Sequence, residues 1–281
     1  MDLDKIKKLT LRALMSDETL MHCLVLKGGN ALQLVYEITN RGSIDIDFSV
    51  EREFTEEELK KMPVWLDYLL NQTFREDNLH VFDVNFIEKP KSGSIPEWKG
   101  YLLEFKVIGK EKFTELNGDL NSIRRNALIL NDKSSKYQVE ISAYEYVEGA
   151  TTKEMDGVIL RVYTLEMILF EKIRALCQTM PEYSEIVTSA RTKHRARDIY
   201  DIFTIYNSGQ LNLDQEMLKE IFKAKRVPLD FIDKLENLRE HNRENWETVR
   251  ASIVESDRKN LRDYDYYFNQ VLKIIEPFKV L

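Results

Sequence analysis

The sequence predicts an α+β fold, with a mixed β-sheet flanked by helices over residues 1–163 and an α-helical domain over residues 164–281. Three observations lead there. Strand and helix patterns alternate early, short β-branched and aromatic runs fill the middle, and after Thr164 almost every segment has helical periodicity while strong strand signals stop. With 281 residues, 43% hydrophobic and 10% aromatic, the chain can bury a sizeable core as one large domain or two modest ones. Charged residues make up 32%, with both signs interspersed and a net charge of −7. That balance argues against nucleic-acid binding through the overall field and leaves the role to local basic patches.

Taken in order, Leu3–Met21 reads as an amphipathic helix, Cys23–Leu26 as a short strand, about Asn30 to Thr39 as a helix, and Ser43–Val50 as a strand. Thr55–Phe74 has acids in its first turn and Leu59, Met62, Leu66, Leu69 and Leu70 at helical spacing, with a kink expected at Pro63. The period then changes. "HVFDVNFIE", "YLLEFKVIG", "YQVEISAYEYV" and "GVILRVYT" are strand-like runs separated by turn segments such as "KPKSGSIPEWKG". Thr164 then caps a helix from Leu165 to about Thr179, and "RARDIYDIFTIY" forms the next clear one.

No internal repeat or low-complexity tract is present. The first residues lack the apolar core of a signal peptide, and no run approaches the roughly 18 apolar residues that span a bilayer. The chain is therefore expected to be soluble and cytoplasmic, with no membrane partner. Cys23 and Cys177 sit among apolar residues and read as buried free thiols. His22, His80, His194 and His241 show no ligand spacing, so no zinc site is expected.

The chemistry concentrates in "LKGGNALQLVYEITNRGSIDIDFSV", Leu26 to Val50. Residues i and i+2 of a strand share a face, so Asp45 and Asp47 present two carboxylates side by side while Ile44, Ile46 and Phe48 take the other face. Two anions repel by roughly 1 kcal/mol at 4 Å in water and several-fold more when partly buried, which calls for a cation. Magnesium is the natural candidate, being held by one or two carboxylates plus substrate phosphates. An ordinary one-sided strand would give the same alternation. Gly28 and Gly29 stand between a strand and a helix, where backbone can approach a phosphate and the helix N-terminus aims amides at it; Asn30 can add a side-chain amide. Plain turn chemistry also uses Gly-Gly. In combination, a phosphate-ready turn, a helix and paired acids are what metal-dependent nucleotidyl transfer needs.

Two-metal transfer usually needs a third acid on a neighbouring strand. Glu140 in "YQVEIS" and Glu104 in "YLLEFKV" both have the required local appearance. On the helical wheel after Thr164, Lys172 falls inside the apolar stripe of Leu165, Ile168, Leu169, Ala175 and Leu176, whereas Glu171 and Arg174 fall on the polar face. Such a lysine snorkels, pairs with a carboxylate, or meets a substrate phosphate. Asp198 lies within the edge of the next helix's stripe and is either a partner or a first-turn acid; Asp201 sits closer to the polar boundary. "RTKHRAR", residues 191–197, is a basic patch suited to acceptor phosphates or to plain solvation, "KEIFKAKR" near 219–226 is a weaker one, and "KLENLREHNRENWE" reads as a solvated face.

"KGGNAL" followed by "RGSIDIDF" resembles the opening motifs of the DNA polymerase β-like nucleotidyltransferases, in particular the AbiEii-like (MenT-like) toxin family, and "EKIRAL" with "RARDIYDI" is similar to its later motifs. The resemblance spans about residues 24–206. It implies a nucleotidyltransferase-like first domain, Asp45 and Asp47 as a metal-binding pair, Arg41 and Ser43 just ahead of them, and Lys172 on the nucleotide phosphates with Asp198 in the same site. It also modestly favours Glu140 as the third acid. Asn30 departs from the usual Ser or Thr, which removes a hydroxyl contact to phosphate. Implied partners are a nucleoside triphosphate, magnesium, an acceptor such as the 3′ end of tRNA, and a separately encoded antitoxin in an abortive-infection or toxin–antitoxin setting. Two rival readings are transfer to a small molecule such as an aminoglycoside, and a non-catalytic interaction module of the same fold.

Overall fold

A computed structural model describes residues 3–90, 98–130, 134–187 and 192–279. The chain divides into two compact units: residues 1–26, 44–144 and 152–161 form the first, and residues 27–43, 145–151 and 162–281 the second.

The first unit is built on a seven-stranded sheet of β1 (Leu24–Lys27), β2 (Ile46–Val50), β3 (Leu79–Lys89), β4 (Gly100–Gly109), β5 (Tyr137–Ser142), β6 (Thr151–Met155) and β7 (Val158–Val162), in the order β3-β4-β5-β2-β1-β7-β6. It is mixed, since β2 pairs with β5 in parallel while β4 is antiparallel to both β3 and β5. Helix α4 (Glu56–Phe74) packs on β3, α1 (Leu3–Met15) on α4, and α2 (Glu18–Cys23) on α1, with the short α5 (Lys110–Glu115) and α6 (Leu120–Arg125) further on. Met62, Leu66, Leu70 and Phe74 of α4 are buried, as their helical spacing requires. Thr55 and Glu58 complete a capping box at its start, and Pro63 lies inside it. A satellite core gathers Phe82, Ile108, Ile123 and Ala127, which the small helices cover with Phe113 and Leu116.

The expected single helix Leu3–Met21 is two helices. Asp17 accepts from Leu20 N at 3.0 Å and restarts the helix, because a short acidic side chain offers the backbone a cap in place of continuation. The strand expected at Ser43 starts only at Ile46, so Ile46 and Phe48 are buried as foreseen whereas Ile44 is 37% exposed. The run "YQVEISAYEYV" is a strand only to Ser142, and Tyr144, with φ of 55°, turns the chain out of extended geometry. Strand β6, unforeseen, pairs off beside β7 across Asp156 and Gly157, whose φ of 50° and 78° suit a tight hairpin. Cys23 and Cys177 are buried free thiols. Among the described residues no helix is long and apolar enough to cross a membrane.

The second unit opens with α3 (Gly28–Asn30), which continues as a π-helical turn over Ala31–Val35 and ends at Glu37, where φ is 54°. The expected helix thus begins earlier and ends earlier. The rest is helical: α7 (Leu165–Cys177), α8 (Tyr183–Ile186), α9 (Ala196–Tyr206), α10 (Gln215–Lys223), a 3₁₀ segment Leu229–Leu238, α11 (Arg239–Arg243), α12 (Trp246–Ser252), α13 (Glu255–Arg258) and α14 (Tyr264–Ile275). Thr164 caps α7 by accepting from Met167 N at 3.3 Å. Helix α9 packs on α7, α12 and α14. "KLENLREHNRENWE", expected to be a solvated face, buries Leu235, Leu238, Asn242 and Trp246, since its 3₁₀ segment packs on α7 and α14 and α12 packs on α9.

Candidate active site

In the second unit, the glycine corner sits where β1 runs into α3. Gly28 has φ of 69°, a left-handed conformation that a side chain would strain. Gly29 is constrained differently. A Cβ there would lie 3.1 Å from Arg41 Nη2 and 3.1 Å from the Ser43 Cβ, so the corner is packed directly on the Arg41–Ser43 segment. Asn30 is fully buried at the next position.

Arg41 is itself anchored. Its Nε donates to Asp201 Oδ1 at 3.0 Å and its Nη2 to Asp201 Oδ2 at 2.8 Å, a planar two-point pair. Asp201 also meets Lys172 Nζ at 2.7 Å, and Lys172 donates to Asp198 Oδ1 at 2.9 Å. Arg195 closes the network on Asp198 Oδ2 at 2.9 Å. Lys172, which the wheel left needing a partner, therefore has two. Burial opposes charge on Asp198, but Lys172 and Arg195 beside it win and hold its carboxyl well below the usual range. Asp201 is lowered against the same burial by Lys172 and Arg41. Its placement corrects the wheel: Asp201 is fully buried rather than near a polar boundary. The signal available was its spacing, since Asp198 and Asp201 stand three apart on one helix and face the same neighbour.

A second network adjoins this one through α7. Lys27, the residue before Gly28, donates to Glu145 Oε2 at 2.7 Å and to Glu171 Oε1 at 2.8 Å. Arg174 Nη2 reaches Glu171 Oε1 at 3.2 Å, and Lys225 Nζ lies 3.5 Å from Glu145 Oε1. Glu171 and Arg174 are thus not on a polar face, and Lys225 of the "KEIFKAKR" stretch is buried rather than a surface cation. Burial, with Glu145 alongside, pushes the Glu171 carboxyl up. Burial also pushes Lys225 down to about 8, with Glu145 offsetting part of it and Arg174 and Lys27 adding to it.

In the first unit, Asp45 lies in a bend just before β2 and Asp47 within it. Asp47 is the direct partner of Glu140 across the parallel β2–β5 pair, so these two carboxylates are lateral neighbours on one face of the sheet. Glu104, the other candidate, is one strand further on, faces Gln138 and accepts from its Nε2 at 2.7 Å. Among the described residues no group of three His, Cys, Asp or Glu side chains is placed to form a protein-only metal cage. Two neighbouring carboxylates fit instead the way magnesium is ordinarily held, with substrate phosphates and water completing the shell.

The basic stretch 191–197 is committed only in part, since Lys193 and Arg197 are exposed and form no ion pair among the described residues. Arg195 is taken by Asp198, and the His194 ring stacks on His241 with centroids 4.3 Å apart. Arg191 lies outside the described residues.

Comparison with known proteins agrees with this fold. The nucleotidyltransferase toxin MenT4 from Mycobacterium tuberculosis H37Rv is similar over 99% of this chain and 83% of its own, with a TM-score of 0.50 and 14% identity. JHP933 from Helicobacter pylori matches over 98% of this chain and 89% of its own, with a TM-score of 0.46 and 15% identity. No curated protein matches the sequence at a significant level. The profile of the AbiEii nucleotidyltransferase toxins of type IV toxin–antitoxin systems covers residues 9–270. With nearly its whole length so matched, the chain belongs to the AbiEii nucleotidyltransferase toxin family and is a nucleotidyltransferase.

Proposed function

We propose that the protein is the toxin of a toxin–antitoxin or abortive-infection pair. It would move a nucleoside monophosphate from a nucleoside triphosphate to an acceptor hydroxyl, with magnesium, and the favoured acceptor is the 3′ end of tRNA. The observation that carries the metal-dependent reading is the register that pairs Asp47 with Glu140, two residues after Asp45. In this reading Asp47 and Glu140 would hold the ion, with Asp45 joining them as substrate phosphates bind, and the ion would neutralise charge on those phosphates. The acceptor oxygen bonds to the α-phosphorus, the bond to pyrophosphate breaks, and the hydroxyl proton passes to a carboxylate such as Glu140.

Lys172 has three N–H donors. Asp198 and Asp201 take two at 2.9 and 2.7 Å, so a third can meet a phosphate oxygen without either pair breaking. Gly28, Gly29 and Asn30 would line the triphosphate with backbone and amide groups, and Ser43 would add a hydroxyl beside Arg41. A nucleoside triphosphate substrate and an antitoxin partner follow from the family.

The test is to incubate the pure protein with each labelled triphosphate, magnesium and total tRNA, in parallel with Asp45→Ala and Asp47→Ala. Label is expected on RNA, with at least a hundredfold loss in either variant, about 3 kcal/mol of transition-state stabilisation. Equal labelling by the variants would overturn the metal assignment, and label only on small hydroxyl compounds would overturn the RNA acceptor.

A further inference from the structure

An open groove of about 450 Å³ is formed within residues 243–264, and its rim carries Arg243, Arg250, Arg258 and Arg262 against only Glu247 and Asp263. Among the lining residues that is four cations to two anions in a chain whose net charge is −7, with Glu240 and Asp265 standing on Arg243 outside the lining. Not all four arginines are neutralised nearby. Arg243 pairs with Glu240 and Asp265, and Arg250 with Glu247. Arg258 instead donates from Nε to Ile253 O at 2.7 Å and from Nη2 to Ala251 O at 3.0 Å, which fixes its guanidinium without cancelling its charge. Arg262 lies over the ring of Tyr266, 5.8 Å from its centroid, and that ring is 39% exposed. Among the described residues neither Arg258 nor Arg262 meets a carboxylate in an ion pair.

Several cations of the other basic stretches are spent differently, although Lys193 and Arg197 stay exposed with no ion pair among the described residues. Arg195 is bound to Asp198, Lys225 is buried on Glu145, and Lys219 and Lys223 pair with Glu216 and Glu220. The groove also adjoins segments that matter. Asn245, at its edge, accepts from Ala196 N at 3.2 Å, at the start of the helix that bears Asp198. At the other end Gly42 N donates to Ser252 O at 3.3 Å, and Arg41 forms a β-bridge with Ile253.

We propose that this arginine groove is the seat of the phosphodiester backbone of the RNA acceptor, and the proposal rests on the RNA-acceptor reading above. Fixed guanidiniums match phosphate oxygens in two-point geometry, and the exposed Tyr266 offers a face for one unstacked base. A folded protein partner suits the groove less well. Its aromatic lining residues, Trp246 and Tyr264, are 7% and 3% exposed and only Leu261 is half-buried, so the groove itself opens no aromatic anchor of the kind that dominates protein interfaces. Affinity here has to come from charge, and it will be correspondingly sensitive to salt.

The experiment measures binding of total tRNA, without triphosphate, over a series of KCl concentrations. It uses the full chain, Arg250→Ala/Arg262→Ala, and Lys219→Ala/Lys223→Ala, with thermal unfolding to check that each is folded. The arginine variant is expected to bind about tenfold more weakly, and its slope of log K against log salt to fall by about 1.4, roughly 0.7 for each phosphate left without its arginine. The lysine variant should match the parent. If the parent transfers label to RNA while the arginine variant keeps full affinity and slope, the groove assignment fails and the RNA acceptor stands. If the parent neither binds nor labels RNA, both fail. Loss of binding to a co-expressed acidic protein, with RNA binding intact, would also overturn the proposal.

Discussion

The two buried ion networks of the second unit have the same head count and a different electrical character. One sets Arg41, Lys172 and Arg195 around Asp198 and Asp201; the other sets Lys27, Arg174 and Lys225 around Glu145 and Glu171. In the first, each aspartate touches two cations, and both carboxyls stay below their ordinary range despite burial. Its charges are fixed. In the second, burial with Glu145 alongside pushes the Glu171 carboxyl up and burial pushes Lys225 down to about 8, while Lys27, Lys225 and Arg174 hold Glu145 well below its ordinary range. Equal head counts do not make equal networks, because the approach of Glu145 to Glu171 restores part of the penalty that their cations offset.

The sharpest way to break this contrast is Asp201→Ala. It leaves Arg41 and Lys172 buried without their shared partner, and urea unfolding should show a loss of about 3–5 kcal/mol. A loss below about 1 kcal/mol would mean that the first network is not a lock of fixed charges.

The next effect is on pH. Lys225 is depressed from its ordinary 10.5 to about 8, so between those values the unfolded chain binds the extra proton and stability gains a positive slope from this group, about 1.4 kcal/mol per pH unit at most. Below pH 8 the slope disappears, because both states are protonated. Comparing the parent with Lys225→Met from pH 7 to 10 isolates it. The parent should gain on the variant between pH 8 and 10, and parallel curves would place Lys225 in an ordinary environment.

The smallest effect is expected from Glu171→Gln. Because burial and Glu145 already oppose charge on that carboxyl, an isosteric amide should cost only about 1 kcal/mol. A loss as large as that of Asp201→Ala would erase the distinction between the networks.

How much of this could be read from the chain alone also divides along the networks. Lys172 in an apolar stripe is a local contradiction, and a local contradiction announces a partner; Asp198 was nearby in pattern and is the residue it meets. Lys27 carried no such mark. It ends a four-residue strand, and its partners lie 118 and 144 residues away in sequence, where no periodicity reaches. Glu145 was hidden in an alternation that read as strand until the left-handed Tyr144 ended it. The mixed sheet was legible because its strands are β-branched runs with clear breaks. Strand β6 was not, since "TTKEM" lacks apolar alternation and only the Asp156–Gly157 turn pointed to it. The arginine groove was equally hidden, because its members come from separate short helices and their intervening loops.

Helix α7 presents Glu171 to Lys27 and the very next residue, Lys172, to Asp198 and Asp201. Consecutive side chains on a helix diverge by about 100°, so the rod is pinned from two bearings and cannot roll about its axis to favour one without loosening the other. Any load placed on the Lys172 ammonium is therefore passed as torque to Lys27, the last residue before the left-handed Gly28.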